Sequence, residues 1–438
     1  VEEGAELWQA RADYSSDGCF YPPTLLTDVQ PSATLAQEEI FGPVMISMTF
    51  RTPAEAVELA NNSRYGLAAS IWTENINLAL DIAPRVKAGS VWVNCTNMFD
   101  AAAGFGGYRE SGFGREGGKE GLYEYVKPFW ESRLSKEPVH AMPRFVPVES
   151  DSSFDTPQID RTAKLYIGGK QSRPDSGYSH AAYDATGNLI AEVPTGNRKD
   201  IRNAVEAAQS ASGWTSTTAH NRAQVLYYIA ENLSVRSSEF IRRIAQLSGK
   251  DNMAATAELE LCIRRIYTYA AMADKYDSQV HATPFRNVTL AMKEPLGVIG
   301  IVPPEEAGLL GFVSTVMPAI AMGNRVVVVP SRHYALLATD FYQVLDTSDL
   351  PGGVINVVTG DQEILAEVLA KHYDIEGMWY WGSRQGSKMI EEESADTMKR
   401  TWVNYGLYHN WEDEEQGQGE VFLRKATEIK NIWIPYGE

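Results

Sequence analysis

Cysteine is scarce in this chain, with only Cys19, Cys95 and Cys262 among 438 residues. Three widely spaced thiols build neither a disulfide framework nor a zinc site. They fit a reducing, cytoplasmic compartment. None has the surroundings of a nucleophile: Cys19 lies in a loop without a neighbouring base, Cys95 follows an apolar strand, and Cys262 sits among Leu261, Ile263 and Ile266 on a helix. Positive charge is short as well. Lys and Arg number 39 against 57 Asp and Glu, a formal charge of −18. Nucleic-acid and anionic-membrane surfaces need clustered cations, so neither partner is expected. The seven histidines show no ligand spacing, so no metal site is expected either. No stretch reads as a signal peptide or as an apolar run long enough to span a bilayer.

What remains is ordinary for a globular protein, at 44% hydrophobic and 22% charged residues, and long enough for two or three cores. Val1 to Leu7 reads as the end of a helix, as though a longer polypeptide began upstream. Strand Val44 to Phe50 leads to Thr52-Pro53-Ala54-Glu55, a capping box with proline at the first helical position. In it, Thr52 accepts from the Glu55 N–H and Glu55 reaches back to the Thr52 N–H. Strand Leu67 to Thr73, helix Ile76 to Val86 and strand Ser90 to Asn94 follow, an α/β alternation. Residues 104–121 hold eight glycines. Their Gly104-Phe-Gly-Gly107 is not a dinucleotide fingerprint, because no strand and helix flank it suitably. The proline-rich stretch after Pro128, with its acidic Glu149-Ser-Asp-Ser-Ser153, reads as a linker.

The second half opens on a short hairpin at Leu165-Tyr-Ile-Gly-Gly169. Helical patterns at about 199–212, 219–235, 237–248 and 253–277 follow, then an exposed or edge strand from Val288 to Lys293. Four apolar segments, at Gly297–Val302, Arg325–Val329, Val354–Val358 and Gly377–Trp381, alternate with helices at 307–321, 334–346 and 361–371. That pattern predicts a doubly wound parallel sheet of Rossmann type.

At Glu38-Glu-Ile-Phe-Gly-Pro-Val44, Tyr65-Gly-Leu-Ala-Ala-Ser70, Gly89-Ser-Val-Trp-Val-Asn94 and Phe105-Gly-Gly-Tyr-Arg-Glu-Ser-Gly112, the chain resembles the aldehyde dehydrogenases, in their order and spacing. Residues 161–405 resemble the opening half of the same module, at Lys293-Glu-Pro-Leu-Gly-Val-Ile-Gly300 and Leu350-Pro-Gly-Gly-Val-Ile-Asn-Val-Val-Thr-Gly360. The ending Phe422 to Tyr436 is similar to the tail of the tandem, two-module members (family sixteen). The resemblance implies an α/β fold of Rossmann-type doubly wound sheets with extended oligomerisation strands. It implies the C-terminal part of a catalytic module at 1–103, its oligomerisation strands at 104–130 and a linker at 131–160. A degenerate second module at 161–438 completes it, with a sheet at about 295–405 and an oligomerisation strand at about 286–294.

The resemblance also implies chemistry. Family members form a thiohemiacetal between a cysteine thiolate and the aldehyde, pass its hydride to NAD or NADP, and hydrolyse the resulting thioester with a glutamate-activated water. Here the nucleophile is missing. Glu306, in Pro304-Glu305-Glu306, stands where an oxyanion-binding asparagine belongs, and a carboxylate cannot donate to an oxyanion. Asn404 stands where the general base belongs. Val329 and Arg332 replace the lysine and glutamate that hold the adenosine ribose. Gln416-Gly-Gln-Gly419 is similar to the cysteine loop, with Gly419 in place of the thiol. Glu39 and Phe41 match positions at the nicotinamide ribose, the first to accept from its hydroxyls and the second to wall the pocket. Two expectations follow. One is a catalytically silent part of a tandem aldehyde dehydrogenase, binding no cofactor tightly alone, whose parent is a homodimer completed by a missing upstream half-module. The other is an autonomous dinucleotide-binding oxidoreductase using Glu305, Glu306 and Arg332, with Arg332 on an NADP 2′-phosphate.

Overall fold

Local signals set most elements of the chain. The computed structural model describes residues 3–9, 17–141 and 162–436. Thr52 Oγ1 accepts from the Glu55 N–H at 3.2 Å and starts helix Pro53–Asn61. The reciprocal bond is displaced by one residue, since Glu55 Oε2 accepts from the Arg51 N–H at 2.6 Å, not from Thr52. Of the expected helix end at Val1 to Leu7, the first two residues lie outside the described residues, and Glu6–Gln9 is instead a strand paired antiparallel with Thr24–Thr27. Cross-strand pairing has overridden a weak local helix preference. Further on, a capping box at Asn197 and Asp200 opens helix Arg198–Ser210, and Asp251 caps Asn252–Met272. Gly249, at φ 72°, closes Ser237–Ser248 in the left-handed conformation that glycine adopts without strain.

The chain divides into two compact units. The first unit comprises Val1–Val126, Ser278–Met292 and Ile429–Glu438. It holds a small sheet in which Thr24–Thr27 lies between Glu6–Gln9 and Val44–Ile46. Ala5, Leu26, Val29 and Ala33 form a small core beside it. Its larger sheet has five strands, in the order Gln279–His281, Asn287–Pro295, Thr427–Pro435, Ser90–Val93, Ala68–Ile71. Thr427–Pro435 runs parallel to Ser90–Val93, with Asn431 opposite Ser90 and Trp433 opposite Trp92. Val91, Val93 and Ile432 share one core. Val288 to Lys293, expected to be an exposed or edge strand, is therefore not at the edge of its sheet. Asn287–Pro295 has neighbours on both sides, and Gln279–His281 forms the edge.

The glycine-rich segment carries no extended strand where oligomerisation strands were expected. It forms a single bridge between Phe105 and Glu116, a turn at Arg109–Ser111 and helix Gly118–Tyr123. Its glycines permit close approach: a Cβ on Gly106 would lie 2.1 Å from the Gly114 carbonyl, and one on Gly89 1.9 Å from the Gly106 carbonyl. Into this segment folds the buried Arg115 side chain. It donates to the carbonyls of Gly107, Phe113 and Gly114, and to Ile429 O at 2.9 Å. Asn431 Nδ2 donates to Gly104 O at 2.5 Å, and Lys430 Nζ to Pro84 O at 2.6 Å.

The second unit, Lys127–Asp277 with Lys293–Glu428, contains the doubly wound sheet. Its parallel strands lie in the order Arg400–Val403, Gly377–Tyr380, Val298–Val302, Arg325–Val328, Ile355–Val357, extended antiparallel by Leu165–Ile167 and Lys170–Ser172. Two cores cover its faces, one of them under helices Ala219–Val235, Asn252–Met272 and Gly308–Ala321. The part of the expected linker within the described residues packs into this unit. Trp130 is buried, Ser135 and Tyr408 exchange backbone hydrogen bonds, and Arg133 pairs with Glu415. Residues 142–160 of that linker lie outside the described residues.

Candidate functional site

In the first unit, Glu39 and Phe41 sit on the loop between helix Thr34–Gln37 and strand Val44–Ile46. Both are exposed, and Phe41 is 97% accessible. The loop turns tightly, with Gly42 N donating to Ile40 O and Val44 N to Gly42 O, each at 2.8 Å. Its start is anchored. Gln37 Nε2 donates to Pro31 O and Asn62 O, and the Glu38 carboxylate meets Arg64 Nη2 at 2.5 Å. Beside the loop an apolar groove of about 580 Å³ is lined by Trp8, Pro23, Leu25, Pro43 and Met45. The loop thus presents an exposed carboxylate two residues from an exposed aromatic ring.

In the second unit, a dinucleotide would lie outside the carboxyl ends of the parallel strands, where the strand order reverses between Val298–Val302 and Gly377–Tyr380. The residues there serve one another. At the start of helix Arg384–Ser394, Ser383 N donates to the Tyr380 hydroxyl at 3.1 Å, and that hydroxyl donates to Glu363 Oε1 at 2.5 Å. A helix N-terminus attracts phosphate, but a carboxylate already sits beside this one. Asn404 is a backbone tie, not a base: its Oδ1 accepts from Gly382 N at 3.1 Å and its Nδ2 donates to Leu407 O at 2.8 Å. Val329 is fully buried. The Ser383 N–H and the Asn404 amide are thus already engaged within the protein.

Aromatic rings fill the same end of the sheet. Trp381 meets Trp379, Trp402 and Trp411 edge-on, with centroids 6.1, 4.9 and 5.5 Å apart. Trp411 stacks on His409 at 5.2 Å, and Trp130 meets that imidazole edge-on at 5.3 Å. Burial in this cluster pulls the His409 imidazole down to about 4, so it is neutral. Next to it, burial pushes the Glu306 carboxyl up to about 7; Glu305 acts in the same direction, while its own backbone N–H and the Trp411 indole pull against both. Glu306 lines a cavity of about 220 Å³ with His140, Lys250, Glu258 and Tyr334, in which Lys250 Nζ and Glu258 Oε2 pair at 2.9 Å.

The remaining expected residues divide. Glu305 Oε1 accepts from His333 N at 3.3 Å, which places it against the turn after the second Rossmann strand. Arg332, on that turn, is exposed. Cys262 is fully buried and Cys95 partly so, and burial raises both thiols. Cys19 is exposed. Gly417 lies against the buried Arg265 guanidinium, where a Cβ would stand 2.5 Å from Nη2, and no cysteine occupies the loop. Sequence reasoning missed the aromatic cluster and the Glu38–Arg64 pair. Only the cluster had a signal, the density of tryptophan between Trp379 and Trp411.

Among the described residues no group of His, Cys, Asp and Glu could hold a metal, and no helix is long and apolar enough to cross a membrane. Comparison with known proteins gives one family. The profile of the Aldehyde dehydrogenase family matches residues 1–130 and 173–407. The putative aldehyde dehydrogenase DhaS of Bacillus subtilis (strain 168) is 48% identical over 131 residues, 30% of this chain and 26% of that protein. The mitochondrial aldehyde dehydrogenase of Homo sapiens is 46% identical over 126 residues, 29% of this chain and 24% of its own length. The chain thus spans about a quarter of the curated relatives it matches. Among solved structures, an indole-3-acetaldehyde dehydrogenase in apo form aligns with a TM-score of 0.54 at 25% identity, covering 56% of this chain and 60% of that one. An NAD-dependent aldehyde dehydrogenase from Sinorhizobium meliloti aligns at 0.54 and 24% identity over 58% and 52% of the two chains, a likeness of fold.

Proposed function

The chain belongs to the aldehyde dehydrogenase family, and from that premise we propose that it is the C-terminal part of a tandem, two-module member. Residues 1–130 end a catalytic module whose parent oxidises an aldehyde to a carboxylate through a cysteine thioester. Residues 161–438 form a second module that braces the first and does not catalyse. The observation that carries this reading is the five-stranded sheet. Segments 278–292 and 429–438 belong to the same compact unit as 1–126, and Thr427–Pro435 lies directly beside Ser90–Val93. A brace carried on the same polypeptide is held at high effective concentration.

In the intact parent, bound NAD or NADP would supply the hydride acceptor. This chain's contribution is binding: Glu39 accepts from ribose hydroxyls, and Phe41 walls the ring that the ribose carries. The residues that would form the nucleophile and the remaining pocket belong to a half-module upstream. Asn404 and Gly419 support the silence of the second module, since an amide is no general base and glycine carries no thiol. The parent is read as a cytoplasmic homodimer.

Deletion of 429–438 tests the brace. The full-length protein should lose several degrees of thermal stability and its NAD-linked aldehyde oxidation. Unchanged melting and activity would sink the idea. One observation favours a second reading, the exposed Arg332 guanidinium on the turn after the second Rossmann strand, which suits an NADP 2′-phosphate. Saturable quenching of tryptophan fluorescence by NADP, lost in Arg332→Ala, would favour it; no change with either nucleotide would dismiss it.

A further inference from the structure

The loop that carries Glu39 and Phe41 is exposed, and short exposed loops sample many conformations unless something pins them. This one is pinned at its first residue. Glu38 leaves helix Thr34–Gln37 with extended backbone, at φ −108° and ψ 140°. Its carboxylate meets Arg64 Nη2 at 2.5 Å, and Arg64 Nε meets Glu110 Oε2 at 3.3 Å. Successive side chains of extended backbone leave on opposite sides. Holding Glu38 on Arg64 therefore directs Glu39 away from that pair.

Arg64 is itself fixed by backbone contacts. Its carbonyl accepts from Glu110 N at 3.0 Å. Arg109 Nη1 donates to Asn61 O at 2.8 Å and also to Ser63 O. Gly66 N donates to Ser111 Oγ at 3.0 Å, and Tyr108 N to Gly66 O at 2.8 Å. The turn 61–66 is thus stitched to 108–111 along its length, which makes Arg64 a rigid post for the loop.

We propose that Arg64 is a positioning residue for the nucleotide: bridged between Glu38 and Glu110, it fixes the direction in which Glu39 presents its carboxylate to ribose hydroxyls. The assignment rests on the cofactor reading of Glu39 given above. In this role Arg64 acts through the order of the loop. The pair is partly exposed and salt screens it. The expected effect is modest, a rise of about three- to fivefold in the KM for NAD.

The test uses the full-length protein with NAD as the varied substrate at fixed saturating aldehyde. Arg64→Ala should raise the KM for NAD while kcat at saturation changes less than about twofold, and Arg64→Lys should fall between. The wild-type KM for NAD should climb with ionic strength, and that of Arg64→Ala should stay flat. Glu39→Gln is measured alongside. If it raises the KM and Arg64→Ala does not, the Arg64 assignment is wrong. If Glu39→Gln leaves the KM unchanged, the cofactor reading falls and takes the Arg64 assignment with it. A loss in Arg64→Ala confined to kcat, with KM and salt dependence as in the wild type, also overturns the proposal.

Discussion

Replacing Glu306 by Gln should stabilise the second unit at pH 8 by up to about 3 kcal/mol and leave it nearly unchanged at pH 4. Burial pushes this carboxyl from an ordinary 4.5 up to about 7, with Glu305 adding to the rise. A group bound more tightly to its proton in the folded state gives stability that is complete below pH 4.5. That stability fades as pH rises and is gone above about 7. Each unit of pH across that interval is worth about 1.4 kcal/mol, hence the figure of about 3. Gln keeps the shape and cannot ionise, so the variant should resist alkaline weakening. The assay is urea unfolding from pH 4 to 8.5, followed by tryptophan emission, since Trp379, Trp381, Trp402 and Trp411 all sit in the second unit. A difference between variant and wild type that does not vary with pH, or a Gln variant weaker at pH 8, would refute the electrostatic argument.

Three other outcomes are expected. The neutral His409, drawn down to about 4 by burial, should make the second unit lose up to about 3 kcal/mol as pH falls from 6.5 through 4; in His409→Phe that acid limb should flatten, as read by fluorescence-monitored unfolding. Arg115→Met removes a buried guanidinium bound to four carbonyls and should cost the first unit about 3 kcal/mol, measured by calorimetry. Gly106→Ala drives a Cβ to 2.1 Å from the Gly114 carbonyl and should cost of the order of 1–3 kcal/mol in the same experiment, whereas Gly114→Ala, which meets nothing within 4 Å, should cost little.

Elements with strong local signals were legible in the sequence. Thr52 acts as a cap, and the helices at 198–210, 219–235 and 237–248 lie within two residues of their periodicity. So were the alternating apolar strands of the doubly wound sheet, because both faces are buried and the runs are continuous. Pairing between distant strands was not legible. Nothing in Asn287–Pro295 or Thr427–Pro435 states that one lies beside the other and next to Ser90–Val93. For that reason an interior strand read as an exposed or edge strand. The Glu6–Gln9 strand was misread for the same cause: its partner, Thr24–Thr27, makes it a strand. At the candidate site, Glu39 and Phe41 were singled out by resemblance, whereas Glu38–Arg64 joins residues 26 apart with no period to betray it.

The first unit is assembled from stretches separated by about three hundred residues of chain, since 1–126 shares it with 429–438. Translation runs in one direction at about 5–20 residues per second, so the opening stretch leaves the ribosome roughly 15–60 s before the strand that fills the middle of its sheet. Through that interval Ser90–Val93 has an open side, with Val91 and Trp92 awaiting Ile432 and Trp433. A nascent chain in this condition is a client for chaperones. Slowing elongation across the second unit would lengthen its exposure and increase its loss to aggregation, with no change in the amino-acid sequence.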